Sequence, residues 1–422
     1  MLRSILLALC LCFITHAAVA GDWPAWRGPT QMGISNETGM PTEWDQTKNV
    51  TWKVPLPDAG NSTPIILGER VIITCAEQKG TVRSTICFDR KDGSQLWKQT
   101  ITFEEKEQTH GTNPYCSSSP VSDGKCIIVW HGSAGIYCYD MSGKELWKRD
   151  LGEFDHIWGN ASSPVIHGDH VLLSAGPGLR HVLYCFNKKD GAVVWEKELS
   201  DSQSKEAKQF KGSWSTPVIH KIGEMDQMIL GLPQKLCGFD PKTGEELWHC
   251  KGLSDLVYAS PLIGEGVIVA MSGYGGPGLA MKEPSATDRG DLTASHRLWV
   301  HPKNPQRVGS GVIVGKHVYI LNEPGIAFCI DLKTGEQLWG RGERAGTGGS
   351  WSSMVHADGK LWICNMKGET VVLKADPTFE VIAVNPMKEM IRASTAFSDG
   401  QVFIRTYGHL YCIGKRREKA AE

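Results

Sequence analysis

A series of loops in this chain ends on residues suited to gripping a ligand. His110-Gly-Thr-Asn113-Pro-Tyr115, Asp155-His156-Ile-Trp158-Gly-Asn160, Trp214, Tyr258, Arg307, Trp351 and Arg392 each stand just ahead of a recurring pair of small or hydroxyl residues. Indole and phenol rings stack on planar groups, while Arg, His and Asn add hydrogen bonds, some of them charge-assisted. Together they suit a planar or anionic ligand. The plainer reading is that they plug a channel and tie loops together, each His satisfied by a backbone carbonyl. None stands out as a catalyst. Asp155 and His156 are neighbours in sequence alone, and a base is identified by geometry before its pKa matters.

A second candidate is the irregular stretch carrying Gly273-Tyr274-Gly275-Gly276-Pro277-Gly278, then Asp288-Arg289-Gly290-Asp291 and His296. Loops of that length are usually functional, so Tyr274, Arg289, Asp291 and His296 are expected on a flap over the site or on a partner-contacting loop. No lysine-serine phrase follows the glycines, so they do not form a phosphate cradle. His167-Gly-Asp-His170 has metal-like spacing but occupies a hairpin turn, and turn chemistry accounts for it. The chain holds no Cys-x-x-Cys, Gly-x-Ser-x-Gly, His-Glu-x-x-His or calcium-loop phrase, so no metal site and no hydrolase is expected.

What positions these residues is a repeat. Phe88-Asp89 to Leu96-Trp97, Tyr139-Asp140 to Leu146-Trp147, Phe186-Asn187 to Val194-Trp195, Phe239-Asp240 to Leu247-Trp248 and Ile330-Asp331 to Leu338-Trp339 are copies of one strand-turn-strand phrase. Asp or Asn caps the turn and a glycine takes positive φ. Upstream of the copies stand Ser62-Thr63-Pro64, Ser118-Ser119-Pro120, Ser162-Ser163-Pro164, Ser215-Thr216-Pro217 and Ala259-Ser260-Pro261, with degenerate versions at 309–311, 351–353 and 393–395. Four short strands at a period of roughly 40 to 55 residues mark a propeller blade. The fold expected is all-β: an eight-bladed β-propeller of four-stranded antiparallel blades. Val381-Ile382 replaces Leu-Trp in the seventh copy, which keeps seven blades as the alternative. The last unit ends at Tyr411-Cys412-Ile413 without its outer strand, and Asn49-Val-Thr-Trp52-Lys53 supplies one from the N-terminus, closing the ring. Trp52, Trp97, Trp147, Trp195, Trp248, Trp299 and Trp339 recur once per blade and are assigned to packing between neighbouring sheets.

Residues 1–20 read as a charged start, an apolar run and Ala18-Val-Ala20, a signal peptide cleaved after Ala20. The protein is therefore expected to be exported, periplasmic or secreted, with no transmembrane segment. Residues 21–414 form one propeller in this reading and 415–422 a charged tail. Of 45 basic and 46 acidic residues, Arg3 falls in the leader, which leaves a near-neutral surface with no basic stripe for nucleic acid. Cys87, Cys138, Cys185, Cys329 and Cys412 share one repeat position and read as buried strand residues. Cys116 and Cys126, flanking a short turn, are the pair to expect if any disulfide forms.

Asp240-Pro-Lys-Thr-Gly244-Glu-Glu-Leu-Trp248 and Asp331-Leu-Lys-Thr-Gly335-Glu-Gln-Leu-Trp339 resemble the tryptophan-docking repeat of the pyrroloquinoline-quinone-like propellers. That family includes eight-bladed quinoprotein alcohol dehydrogenases, the propeller subunit of the outer-membrane barrel-assembly machinery and many secreted bacterial propellers of unassigned function. The opening Asp22-Trp23-Pro24-Ala-Trp26-Arg27-Gly28-Pro29 resembles the last group. The dehydrogenases add two adjacent cysteines and a calcium site of Glu, Asn and Asp, and neither carries over to this sequence. The function expected is a binding or scaffolding module for a protein, glycan or small molecule, without catalysis and without a cofactor. The resemblance implies two alternatives. One is a quinone-dependent alcohol or sugar dehydrogenase holding pyrroloquinoline quinone with calcium, in which Trp158, Trp214 or Trp351 stacks on the quinone while His156, Asn160, Arg307 and Arg392 hold its carboxylates. The other is an outer-membrane assembly scaffold.

Overall fold

A computed structural model describes residues 21–178, 180–199, 211–303 and 308–416. The expected leader and the end of the tail lie outside these residues. Eight antiparallel sheets follow one another along the chain, so the seven-blade alternative falls away. Blade one is typical, with strands Ile65–Leu67, Arg70–Glu77, Val82–Asp89 and Gln95–Thr102 in spatial order. Its two middle strands are buried on both faces because each sheet is sandwiched between neighbours; the fourth strand is exposed to half-buried. In blade eight the outer strand is Val50–Pro55, paired with His409–Ile413, which closes the ring from the N-terminus as expected. Blade seven has a full outer strand, Val381–Pro386, despite its missing Leu-Trp. Blade six departs from the pattern. Its sheet has three regular strands, and the segment after the turn attaches through single bridges such as Ile330 to Gln337.

The repeat phrases have two structural uses. At the outer turns the capping side chain accepts from the amide two residues on: Asp89 from Lys91 at 2.7 Å, Asn187 from Lys189 at 2.9 Å, Asp331 from Lys333 at 3.0 Å. The turn glycine takes positive φ and also receives the indole of the preceding blade. A Cβ on Gly191 would lie 2.5 Å from Trp147, and one on Gly93 2.8 Å from Trp52. The same indoles donate to the next blade's carbonyls, Trp52 Nε1 to Arg90 at 2.7 Å and Trp147 Nε1 to Lys188 at 2.8 Å. Trp248 breaks this rule. Blade five replaces the Asp-x-x-x-Gly turn with an insertion, so Trp248 folds onto its own sheet over Gly238 and donates to Gln227 Oε1 at 2.7 Å.

At the inner edge, the second residue of each Ser/Thr phrase forms a closed belt. The amide of Thr63 donates to Ser119 Oγ at 2.9 Å, Ser119 to Ser163 at 3.0 Å, Ser163 to Thr216 at 3.0 Å and Thr216 to Ser260 at 2.9 Å. Ser260 continues to Ser310 at 3.0 Å, Ser310 to Ser353 at 2.9 Å, Ser353 to Ser394 at 2.9 Å, and Ser394 returns to Thr63 Oγ1 at 3.1 Å.

The N-terminal segment crosses the ring below this belt. Pro24 O accepts from Ser122 of blade two, whereas Arg27 Nη2 reaches Gly311 O of blade six, on the opposite side. Trp26 and Arg27 therefore sit at the axis and close the channel from beneath. The segment then pairs with His356 of blade seven before entering blade eight.

All eleven described cysteines are free and buried. The expected Cys116–Cys126 pair does not form. Cys116 faces Arg405 of blade eight across an inner loop, while Cys126 opens the second strand of blade two.

Gly191→Ala should cost about 2–4 kcal/mol, combining left-handed strain with overlap against Trp147. Gly168→Ala in the same blade has φ +58° and nothing within 4 Å, so it should cost only the strain, about 1 kcal/mol. Urea melts of the two variants check the difference; equal losses would mean that indole docking is dispensable.

Candidate functional site

Above Trp26 the channel opens into a cavity of about 260 Å³. Its floor is the belt, with Thr63, Ser163, Thr216, Ser353 and Ser394 all lining it. One wall is aromatic. Trp158 stacks on Tyr274 with centroids 5.7 Å apart and rings 20° from parallel, and Trp214 lies 5.9 Å from Trp158 and 4.6 Å from Tyr258. Trp214 and Tyr258 are carried by two loop segments, Gly212–Ser213 and Leu256–Val257, that pair in parallel between blades. Gly273 is required there, since a Cβ would overlap the Tyr258 ring. The facing wall is Trp351 and Arg392. The guanidinium sits 4.7 Å over the Trp351 ring and 5.4 Å over Tyr407, and its Nη1 donates to Thr112 O at 3.1 Å and to Tyr407 Oη. Trp351 Nε1 donates to Glu323 at 3.3 Å.

Of the residues expected from sequence, His110, Asn113, Trp158, Trp214, Tyr258, Tyr274, Trp351 and Arg392 line this one cavity. Three more stand behind its wall. His156 is buried edge-on to Trp214 at 4.9 Å, and its Nδ1 accepts from the Trp158 amide at 3.1 Å. Tyr115 lies over Arg83 at 5.1 Å, and Asn160 is held by Glu107 at 2.8 Å. Arg307 lies outside the described residues.

Part of the stretch expected on a flap or a partner-contacting loop reaches the cavity. Strand Gly278–Lys282 divides the stretch, leaving Tyr274 at the cavity mouth and sending the rest to the outer rim. There Gly290–Asp291 extends blade four, Asp291 pairs with Lys251 at 2.8 Å, His296 with Asp288 at 3.3 Å, and Arg289 binds the carbonyls of Ala286 and Asp288. Arg289, Asp291 and His296 therefore belong to the rim. Sequence reasoning missed Trp26, which has no repeat position to mark it, and the belt hydroxyls, whose phrase was visible but whose use was not.

The cavity offers ring faces, hydroxyls, amides and one described guanidinium. Its described lining residues carry no carboxylate, and no described cluster of His, Cys, Asp or Glu is arranged to hold a metal ion. No described helix is long and apolar enough to cross a membrane.

Burial lowers the pKa of His156 and of His181 to about 4 and that of His131 to about 3. Each is neutral when folded, while the unfolded chain takes up its proton near the ordinary value of 6.5. Stability is therefore full above that value and falls as pH drops from it toward the folded values. The loss is about 1.4 kcal/mol per pH unit for each histidine. Melting temperatures between pH 6.5 and 5 should fall steadily, and His156→Gln should flatten the slope; a level profile would contradict the assignment.

The profile of the family described as outer membrane protein assembly factor BamB matches residues 78–341. No protein of curated function matches the sequence. Among solved structures, BamB from Moraxella catarrhalis is similar at a TM-score of 0.61 and 14% identity, over 87% of this chain and 98% of that one. Quinohemoprotein alcohol dehydrogenase from Comamonas testosteroni is similar at 0.69 and 11%, over 95% and 82%. A europium-containing methanol dehydrogenase is similar at 0.71 and 12%, over 94% and 98%. At such identities the likeness is one of fold. Because the profile spans well over half of the sequence, the chain belongs to the pyrroloquinoline-quinone-like repeat propellers of the family described as outer membrane protein assembly factor BamB.

Proposed function

We propose that this protein is an exported binding module that holds a small ring-bearing acid in the channel-mouth cavity. The observation that carries this reading is the cavity itself, closed below by Trp26 and the hydroxyl belt, walled by stacked aromatic rings and faced by Arg392. Concave, largely apolar sites with a few placed polar groups are where small ligands are bound. Pyrroloquinoline quinone, a planar tricarboxylate, suits the aromatic wall and the Arg392 side. Calcium does not suit the donors, because the described lining offers hydroxyls, amides and a cation but no carboxylate. The reading is accordingly one of binding without quinone-dependent oxidation.

The scaffold alternative draws on the family description and requires a membrane protein to co-purify. The test is calorimetric titration of residues 21–422 with planar aromatic acids, pyrroloquinoline quinone among them, with and without calcium. We expect saturable binding that calcium leaves unchanged and that Trp158→Ala or Arg392→Gln weakens at least about tenfold, 1.4 kcal/mol. Binding that appears only with calcium, or oxidation of alcohols or sugars by the quinone-loaded protein, would overturn it.

A further inference from the structure

Beside the cavity, and sharing Ser117 with it, lies a second void of about 10 Å³, lined by the segment leading into blade two, by blade two itself and by Asn160 from the loop before blade three. Its surroundings are unusually polar for an interior. The Arg83 and Glu107 side chains are 1% and 3% exposed and paired at 2.7 Å. Glu107 Oε2 also accepts from the Ser133 amide at 3.2 Å, and Oε1 from Asn160 Nδ2 at 2.8 Å. An ionised carboxylate can only accept. Asn160 must therefore turn its amide nitrogen to Glu107, which sends Oδ1 the other way.

Asn160 Oδ1 finds no partner among the described residues, and neither do Trp130 Nε1 and Ser118 Oγ. All three residues line this same void. Trp130 is 1% exposed and Ser118 6%. Polar groups left unpaired in an interior are costly, and a space this size with two to four polar partners is what one buried water occupies. Indole N–H can only donate, Asn160 Oδ1 can only accept, and the Ser118 hydroxyl can do either. A water molecule, with two donors and two acceptors, matches that set. A cation does not match it, because an indole N–H can only donate. A side chain at position 132 would collide with the network: Gly132 has φ +63°, and a Cβ there would lie 2.6 Å from Glu107 Oε1.

We infer that a single internal water, bound by Trp130 Nε1, Ser118 Oγ and Asn160 Oδ1, completes a buried network that sets the aromatic wall in place. The connection to the wall is short. Asn113 Nδ2 donates to the carbonyls of Trp158 at 2.6 Å and of Asn160 at 2.9 Å, and Asn113 Oδ1 accepts from Ser117 Oγ. Glu107 and Asn160 are thus positioning residues for Trp158. The water anchors the end of the segment that Asn113 holds from the front. The water holds the wall in this way whichever ligand the cavity takes.

A crystal structure of residues 21–422 showing ordered solvent should place a density peak within hydrogen-bond reach of those three atoms. Trp130→Phe and Ser118→Ala each remove one contact to the water from a different element. In both, hydrogen–deuterium exchange of the peptide spanning residues 154–161 should quicken about tenfold, as for loss of one ordinary buried hydrogen bond. Exchange in blade five should stay unchanged. Absence of the peak in the unaltered protein overturns the inference even if neither variant folds. Unchanged exchange at 154–161 in both folded variants overturns it as well.

Discussion

The belt of eight amide-to-hydroxyl hydrogen bonds running from Thr63 back to Thr63 is the constraint on which the rest of the ring depends. At the narrow end of each blade the backbone is too crowded for a ladder to the next sheet, and an amide buried there without a partner is costly. A short hydroxyl side chain from the adjacent blade supplies the acceptor. Each contact is worth about 1 kcal/mol net, and leaving its amide unmet costs more. Because the contacts form a circle, they tie every blade to its neighbours at one spacing. The outer rim is secured differently, by indoles seated on the glycines of the next turn.

Two further devices close the seam between blade eight and blade one. Arg90 reaches Gln401 at 3.0 Å, Ser398 O at 2.6 Å and Asp399 at 3.0 Å. Arg405 reaches Thr74 O at 2.7 Å and the Ser62 hydroxyl. Beneath the belt, Arg27 is fully buried with carbonyls as its hydrogen-bond acceptors, and burial lowers its pKa to about 9. Buried charge is weak support for stability and better suited to fixing one arrangement. Here it fixes the segment that turns an open channel into a cavity with a floor.

Much of this could be read from the sequence, and the limits have physical causes. Eight phrases at a regular period specify eight blades, because each unit must bury its faces against the next. The seventh copy looked weak since Val381-Ile382 lacks the indole, yet a strand needs only β-compatible residues to pair. The mouth residues were found because loops entering innermost strands converge. Sequence position could not tell which face the cavity, so His156, Tyr115 and Asn160 turned out to stand behind it. Trp26 lies outside the repeat, and its place depends on a crossing that no periodicity encodes. The stretch from Gly273 to His296 read as one loop because Gly278–Lys282, though buried, is short and flanked by glycine and proline.

The most direct test of the central claim, that the walled channel mouth is where this protein binds, is a crystallographic screen of the residues 21–422 protein against a set of ring-bearing acids and neutral ring compounds. The account predicts that bound molecules gather in the mouth, with a ring against Trp158 or Tyr274 and an acid group toward Arg392. Bound molecules found only on the outer rim, with the mouth filled by its own side chains, would contradict it.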